Sequence, residues 1–182
     1  MGFHTFDPDE AGRLDDVSRF RFCSREELLG PLPRDGTILD LGSGTGFYTD
    51  EIAPFVGRVL ALDVQAVMHE GYRKRGIPET VWPVTADAGS LPFDQSTIDG
   101  AFSTMTFHES TTESALADLR RALAPESPFV VVDWSADGNE EAGPPRSERF
   151  DADRARELLE AAGFTVETAT ERSETFRVVA RA

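Results

Sequence analysis

The segment Thr37-Ile-Leu-Asp-Leu-Gly-Ser-Gly-Thr-Gly-Phe-Tyr-Thr49 restricts the fold more than any other part of the chain. Its first half, with Ile38, Leu39 and Leu41, is a short apolar run of the kind that forms a buried parallel strand. Gly42, Gly44 and Gly46 follow at alternate positions, and the residues beyond them can open a helix. Glycine lacks Cβ and reaches positive φ without strain, so a chain turning there can press its backbone against a ligand. The helix beyond adds unpaired N–H groups at its start. Strand, glycine turn and helix together make a seat for a nucleotide cofactor.

The totals narrow the setting. A length of 182 residues suits one domain with a sizeable core. Hydrophobic content of 40% with 28% charged residues describes a soluble globular chain. No apolar run is long enough for a membrane span, and the N-terminus lacks the pattern of a secretory signal. The single cysteine, Cys23, excludes an internal disulfide and fits a reducing cytoplasm. A net charge of -15 disfavours attraction to nucleic acid or to an anionic membrane. Of 18 basic residues only Lys74 is lysine, and an acidic, lysine-poor surface resembles proteins of salt-adapted cytoplasms.

Spacing separates the cofactor classes. A dinucleotide fingerprint, G-x-G-x-x-G, needs glycine at position 47, where this chain has Phe47. The pattern is instead G-x-G-x-G preceded by Asp40, and Leu-Asp-Leu-Gly-Ser-Gly-Thr-Gly resembles the first motif of class I S-adenosylmethionine-dependent methyltransferases. Arg58-Val-Leu-Ala-Leu62 reads as a second strand closing on Asp63, where an acidic residue can accept from ribose hydroxyls or cap the next helix. Ala86-Asp-Ala-Gly-Ser-Leu-Pro-Phe93 resembles a family segment whose Asp meets the adenine amino group; the alternative, less favoured, is that Asp87 caps the short helix near Ser90. Arg120-Arg-Ala-Leu-Ala-Pro125 resembles the family's helix exit, with Glu126-Ser127 in place of Gly-Gly. The resemblance covers roughly residues 37–180 and points to the small-molecule, quinone-methyltransferase-like "type 11" branch.

Pattern reading fills in the remainder. Residues 1–36 are expected to form a helical arm that acts as a modest lid. Phe3, Phe6, Phe20 and Phe22 give it apolar anchors, and Ser24-Arg-Glu-Glu27 has capping-box form. Residues 37–182 form the core. Helices are expected over Phe47–Ala53, over Val64–Arg75, after Ser110-Thr-Thr-Glu113, and from Asp151 to Gly163. Val81–Thr85 is a third strand, with Pro83 arguing for an edge position. Ser96–Met105 is a fourth strand, Phe129–Trp134 a buried fifth, and Phe164–Ala169 with Thr175–Ala180 a terminal hairpin. The polar loop at residues 135–149 is either a substrate-side flap or disordered. The fold class is α/β: a doubly wound, mostly parallel, seven-stranded Rossmann-like methyltransferase sheet with a C-terminal antiparallel hairpin.

The resemblance implies an S-adenosylmethionine site. Asp40 and the turn of Gly42, Ser43, Gly44 and Gly46 would hold the methionine portion, Asp63 and Val64 the ribose side, and Asp87 with Ala88 the adenine. Thr104, within Ser103–Met105, would lie near the methionine end. His108 is the candidate general base, with Glu109 second, against the alternative that His108 shapes the pocket or caps a helix. His4 and His69 are expected in surface or packing roles. Three scattered histidines and one cysteine give no metal-ligand spacing. Trp134, Phe107, Tyr48 and Phe22 either line an apolar acceptor pocket or pack in the core. The partner implied is a small organic methyl acceptor: a quinone precursor, phenol, amine or carboxylate. Two rival readings are a nicotinamide-dependent oxidoreductase and a non-catalytic S-adenosylmethionine-binding module.

Overall fold

The structure, a computed structural model, describes residues 8–182, with side chains from residue 12 onward. Phe3, His4 and Phe6 lie outside the described residues. Among the described residues seven strands pair in one sheet: β1 (Thr37–Leu41), β2 (Arg58–Asp63), β3 (Val81–Thr85), β4 (Gly100–Thr104), β5 (Pro128–Trp134), β6 (Thr165–Glu171) and β7 (Thr175–Arg181). Their order across the sheet is β3-β2-β1-β4-β5-β7-β6. The first five run parallel, and β7 joins β5 and β6 antiparallel. Pro83 sits in β3 at the sheet edge, where its missing N–H costs no central ladder bond.

Side chains alternate across each strand, so one apolar run feeds two cores. On one face Leu39, Leu41, Leu60, Leu62, Phe129 and Val131 are covered by α5 (Glu113–Ala122) and α6 (Ala152–Ala161) through Leu116, Leu119 and Leu159. On the other, Ile38, Val59, Ala61, Phe102, Val130 and Val132 pack under α1 (Arg25–Leu29), α2 (Phe47–Ile52) and α3 (Ala66–Arg75). Burial on both sides is why these strands read as continuous apolar runs. Chain direction across the sheet reverses at β1, whose neighbours are β2 and β4. A crevice opens at the carboxyl ends of these strands, where α/β sheets bind ligands.

Several boundaries differ from the sequence reading. The fourth strand begins at Gly100 because Ser96 takes φ 58°, and Ile98 makes only an isolated bridge to Leu123. Helix α3 begins at Ala66, since Asp63 uses its carboxylate to turn the chain through Gln65. One side chain braces the 135–149 loop. Buried Arg149 donates to the carbonyls of Pro144 (2.7 Å), Ala142 (2.6 Å) and Ser135 (3.3 Å), fixing the loop from within. Upstream, short 3-10 helices at Pro8–Asp15 and Val17–Arg21 precede α1. The Ser24–Glu27 capping box is formed. Arg172 donates to the Phe22 carbonyl and Arg177 to that of Glu27, tying this segment to the terminal hairpin.

Candidate functional site

A cavity of about 800 Å³ occupies the crevice. Its floor is the glycine turn. Gly42 (φ 82°) follows β1 directly, and a Cβ there would collide with the Thr106 side chain. Gly46 (φ 89°) starts α2, and a Cβ on it would enter the Tyr72 ring. Only glycine fits either position. The loop is held at its centre by Asp63, which accepts from Gly44 N (2.8 Å) with one oxygen and from Gln65 N (2.8 Å) with the other. These N–H bonds use one acceptor site on each oxygen and leave further lone pairs for the cavity, which Asp63 lines.

Of the residues singled out from sequence, Gly42, Ser43, Gly44, Asp63, Val64, Asp87, Ala88, Thr104, His108 and Glu109 line this one cavity. Asp40 and Gly46 do not. Asp40 lies beneath the turn, 2% exposed, accepting from Thr49 Oγ1 at 2.5 Å while its Oδ1 has no partner. Burial pushes its carboxyl up to about 7; Asp63 adds to this, while Thr49 and the Arg19 charge oppose it. Asp40 and Gly46 therefore shape the turn rather than line the cavity. Asp87 lines the cavity and accepts from Gly89 N (2.6 Å), closing a turn. His69 is fully buried. Its ring meets Thr85 Oγ1 at 3.0 Å and Ser43 Oγ at 3.5 Å, bracing the glycine turn from behind. Burial lowers its pKa, with the Asp63 charge opposing.

The opposite wall carries the titratable groups. Helix α4 (Phe107–Ser110) follows β4 and presents His108 and Glu109. His108 Nδ1 lies 2.9 and 3.0 Å from the two oxygens of Asp133, a fully buried carboxylate near the end of β5. Asp133 also accepts from the backbone N–H groups of His108 and Trp134, both at 2.7 Å. This carboxylate fixes the ring and holds the proton on Nδ1, directing Nε2 away from itself. Burial alone would lower the His108 pKa, but the charge and hydrogen bond of Asp133, with Glu109 and Glu148 nearby, raise it. Glu109 is pushed up to about 7 by burial, with His108 opposing and Asp133, Asp63 and Glu148 adding to the rise.

Phe22, Tyr48 and Trp134 line the cavity as apolar walls, whereas Phe107 is buried in the core among Phe129, Phe150 and Phe176. Phe22 and Trp134 meet edge-on at 4.7 Å. Gly143 backs onto the Trp134 ring so closely that a Cβ would lie 2.5 Å from it, which brings the 142–144 loop into the cavity wall. Sequence reasoning missed three contributors: Asp133, Arg149 and Arg19. Arg19 stacks over Phe47 (5.4 Å) and Tyr48 (5.2 Å) at the cavity wall, donates to Leu14 O (2.9 Å), and keeps a buried Nε without a partner. A latch joins this arm to the glycine turn. Thr45 Oγ1 donates to Asp15 (2.7 Å), and Arg75 pairs with Asp15 while donating to the Thr45 carbonyl (2.7 Å). Among the described residues no cluster of His, Cys, Asp or Glu could hold a metal ion, and no helix is long and apolar enough to cross a membrane.

A parallel sheet with an antiparallel end, a glycine turn after its first strand and a carboxylate closing its second define a Rossmann-like, nucleotide-cofactor-binding protein of the methyltransferase type. The family model described as "Methyltransferase domain" matches residues 38–126. A crystal structure of an S-adenosylmethionine-dependent methyltransferase from Aquifex aeolicus is 30% identical, covers 97% of this chain and 99% of its own, and superposes with a TM-score of 0.88. The chain belongs to the S-adenosylmethionine-dependent methyltransferase family. Curated relatives include the biotin biosynthesis bifunctional protein BioHC of Cellvibrio japonicus, 34% identical over 63% of this chain and 24% of its own length. Another is the ubiquinone/menaquinone biosynthesis C-methyltransferase UbiE of Klebsiella pneumoniae, 34% identical over 56% of this chain and 44% of its own. The chain thus spans less than half the length of either curated relative. Membership of this family sets aside the nicotinamide reading, in line with Phe47 at the third glycine position.

Proposed function

We propose that this chain transfers a methyl group from S-adenosylmethionine to a small organic acceptor, with His108 as general base. The observation that carries the reading is continuity: one cavity joins the glycine turn, Asp63 and Asp87 to the Asp133-anchored His108. The residues fit the cofactor. The Gly42 cradle has no room for a side chain, Asp63 retains acceptor capacity for the ribose diol, and Asp87 can accept from the adenine amino group. When bound, S-adenosylmethionine supplies an electrophilic methyl group on a sulfonium centre. Gly42, Ser43, Gly44, Asp63, Val64, Asp87, Ala88 and Thr104 would hold it, with Asp40 and Gly46 fixing the turn from beneath.

The chain's own work is alignment, proton handling and exclusion of water. His108 Nε2 takes the acceptor's proton while Asp133 stabilises the imidazolium that results. Phe22, Trp134 and the 142–144 loop enclose the acceptor side, and the 8–21 arm, latched by Asp15 to Thr45 and Arg75, acts as the lid over residues 37–182. The relatives' names include a quinone C-methyltransferase, consistent with the small-molecule, quinone-like branch. The acidic, lysine-poor composition fits a salt-adapted cytoplasm, and the lone, buried Cys23 fits a reducing one.

Incubation with methyl-labelled S-adenosylmethionine and a fractionated small-molecule extract tests the proposal. Label should move to a low-mass product. Calorimetric binding of the cofactor with no label transfer to any fraction would instead mark a non-catalytic binding module.

A further inference from the structure

The acceptor side of the cavity offers a matched pair of polar groups. His108 Nε2 and Glu109 Oε1 lie 3.7 Å apart, beyond hydrogen-bond length, so the two do not satisfy one another directly. His108 Nδ1 is committed to Asp133, which leaves Nε2 as the ring nitrogen available to a ligand. Phe22, Met105, Trp134 and Pro144 contribute apolar surface to the same cavity, beside polar Thr106 and Ser110.

We infer that His108 and Glu109 form a subsite for an aromatic or enolic acceptor with oxygens on two adjacent carbons, one a hydroxyl and the other able to accept a hydrogen bond. The inference rests on the methyl-transfer reading above and names its substrate class. If His108 is neutral and Glu109 protonated, Nε2 accepts and Glu109 donates. If the proton sits on His108, Nε2 donates and Glu109 accepts. Either way the pair presents one donor and one acceptor side by side. The raised pKa values of His108 and Glu109, the latter at about 7, favour such sharing of a single proton near neutrality.

Complementarity then sorts the acceptors. A protonated amine offers donors only, and a carboxylate offers acceptors only, so each leaves one member of the pair unmatched. A mismatch of this kind in a closed site weakens binding by about tenfold or more. A vicinal hydroxyl–oxygen pair satisfies both, and its ring or enol plane lies against that apolar surface. In the productive arrangement the acceptor O–H bond breaks and its proton passes to Nε2, giving an imidazolium held by Asp133. The electron pair stays on the acceptor oxygen, while Glu109 keeps its hydrogen bond to the neighbouring oxygen.

4-Nitrocatechol tests this directly, because its visible absorption reports ionisation. Titrated into the full chain, with and without S-adenosylhomocysteine, it should bind saturably with the spectrum of the anion. It should bind at least about tenfold more tightly than 4-nitrophenol, which has a single oxygen at that end of the ring. Glu109→Ala should erase the preference. Glu109→Gln, which still donates and accepts, should retain most of it, a pattern that general damage to the fold would not give. Cofactor calorimetry on the same samples separates the two readings. Equal binding of the two nitrophenols, or no binding of 4-nitrocatechol by protein that binds S-adenosylmethionine, overturns the subsite and leaves the methyltransferase reading standing. Failure to bind S-adenosylmethionine overturns that reading instead.

Discussion

Replacing Asp40 with Asn should change how the stability of this protein depends on pH. Asp40 is 2% exposed, receives one hydrogen bond from Thr49, and has a second oxygen with no partner. Burial lifts its pKa from the ordinary 3.8 to about 7. The folded state therefore binds a proton that the unfolded chain has already released between these two values. For such a group, stability is fully present below the unfolded pKa and is lost as pH rises through the folded one. At about 1.4 kcal/mol per pH unit, the two units from pH 5 to pH 7 cost roughly 2–3 kcal/mol. Glu109 and His108, with raised values, act in the same direction, while His69, with a lowered value, opposes them. Substituting Asp40 alone isolates its share. Urea unfolding of both proteins at pH 5, 6, 7 and 8 without cofactor should show Asp40→Asn gaining on the parent by about 2–3 kcal/mol across the series. A difference that stays constant with pH would refute the reasoning. It would mean that Asp40 remains ionised in the fold, with the nearby Arg19 charge outweighing desolvation.

Asp63→Ala should weaken S-adenosylmethionine binding by about 1–3 kcal/mol in calorimetry, since the carboxylate both fixes Gly44 and faces the cavity. Unchanged affinity would remove Asp63 from the site. Asp133→Asn should slow methyl transfer by about a hundredfold or more and shift the acidic limb of the pH–rate profile downward. The limb reflects loss of a proton from His108, whose pKa Asp133 raises above 6.5, so removing that charge brings the limb to lower pH; a limb that stays in place would contradict the assignment. Gly46→Ala should destabilise the fold by about 1–3 kcal/mol, because a side chain there must adopt positive φ and displace the Tyr72 ring. A melting temperature equal to the parent's would show that the turn can relax.

Patterns set by local physics were legible in the sequence. Buried strands show as apolar runs at β1, β2 and β5, and positive φ calls for glycine at positions 42, 44 and 46. The terminal hairpin announces itself by alternation. What was not legible depends on juxtaposition. Asp133 sits inside the apolar run of the fifth strand, yet the alignment of β4 with β5 places it under His108, 25 residues away in sequence. Nothing in the order of residues distinguishes it from Asp40, which ends beneath the glycine turn rather than in the cavity. His69 likewise gives no signal in its helix, because its partners Ser43 and Thr85 come from two other segments.

The same distinction bears on the scarcity of lysine. Read as composition, a chain whose 18 basic residues include one lysine suggests solvent adaptation. Many of these arginines turn inward, toward main-chain carbonyls. Arg19 holds Leu14, Arg75 holds Thr45, Arg149 holds three carbonyls of the 135–144 loop, Arg172 holds Phe22, and Arg177 holds Glu27. The guanidinium presents five donors in a planar fork, so one side chain can bind several carbonyls of an irregular segment that has no ladder of its own. Lysine, a point charge on a flexible stem, lacks the planar fork with which Arg149 spans Pro144, Ala142 and Ser135. The segments stapled in this way include the arm and the loop, which line the cavity through Leu14, Phe22, Ala142 and Pro144, besides the glycine turn at Thr45 and α1 at Glu27. Arginine in this chain therefore has a structural task beside any solvent role: it ties the arm, the glycine turn and the 135–144 loop to the fold through their carbonyls.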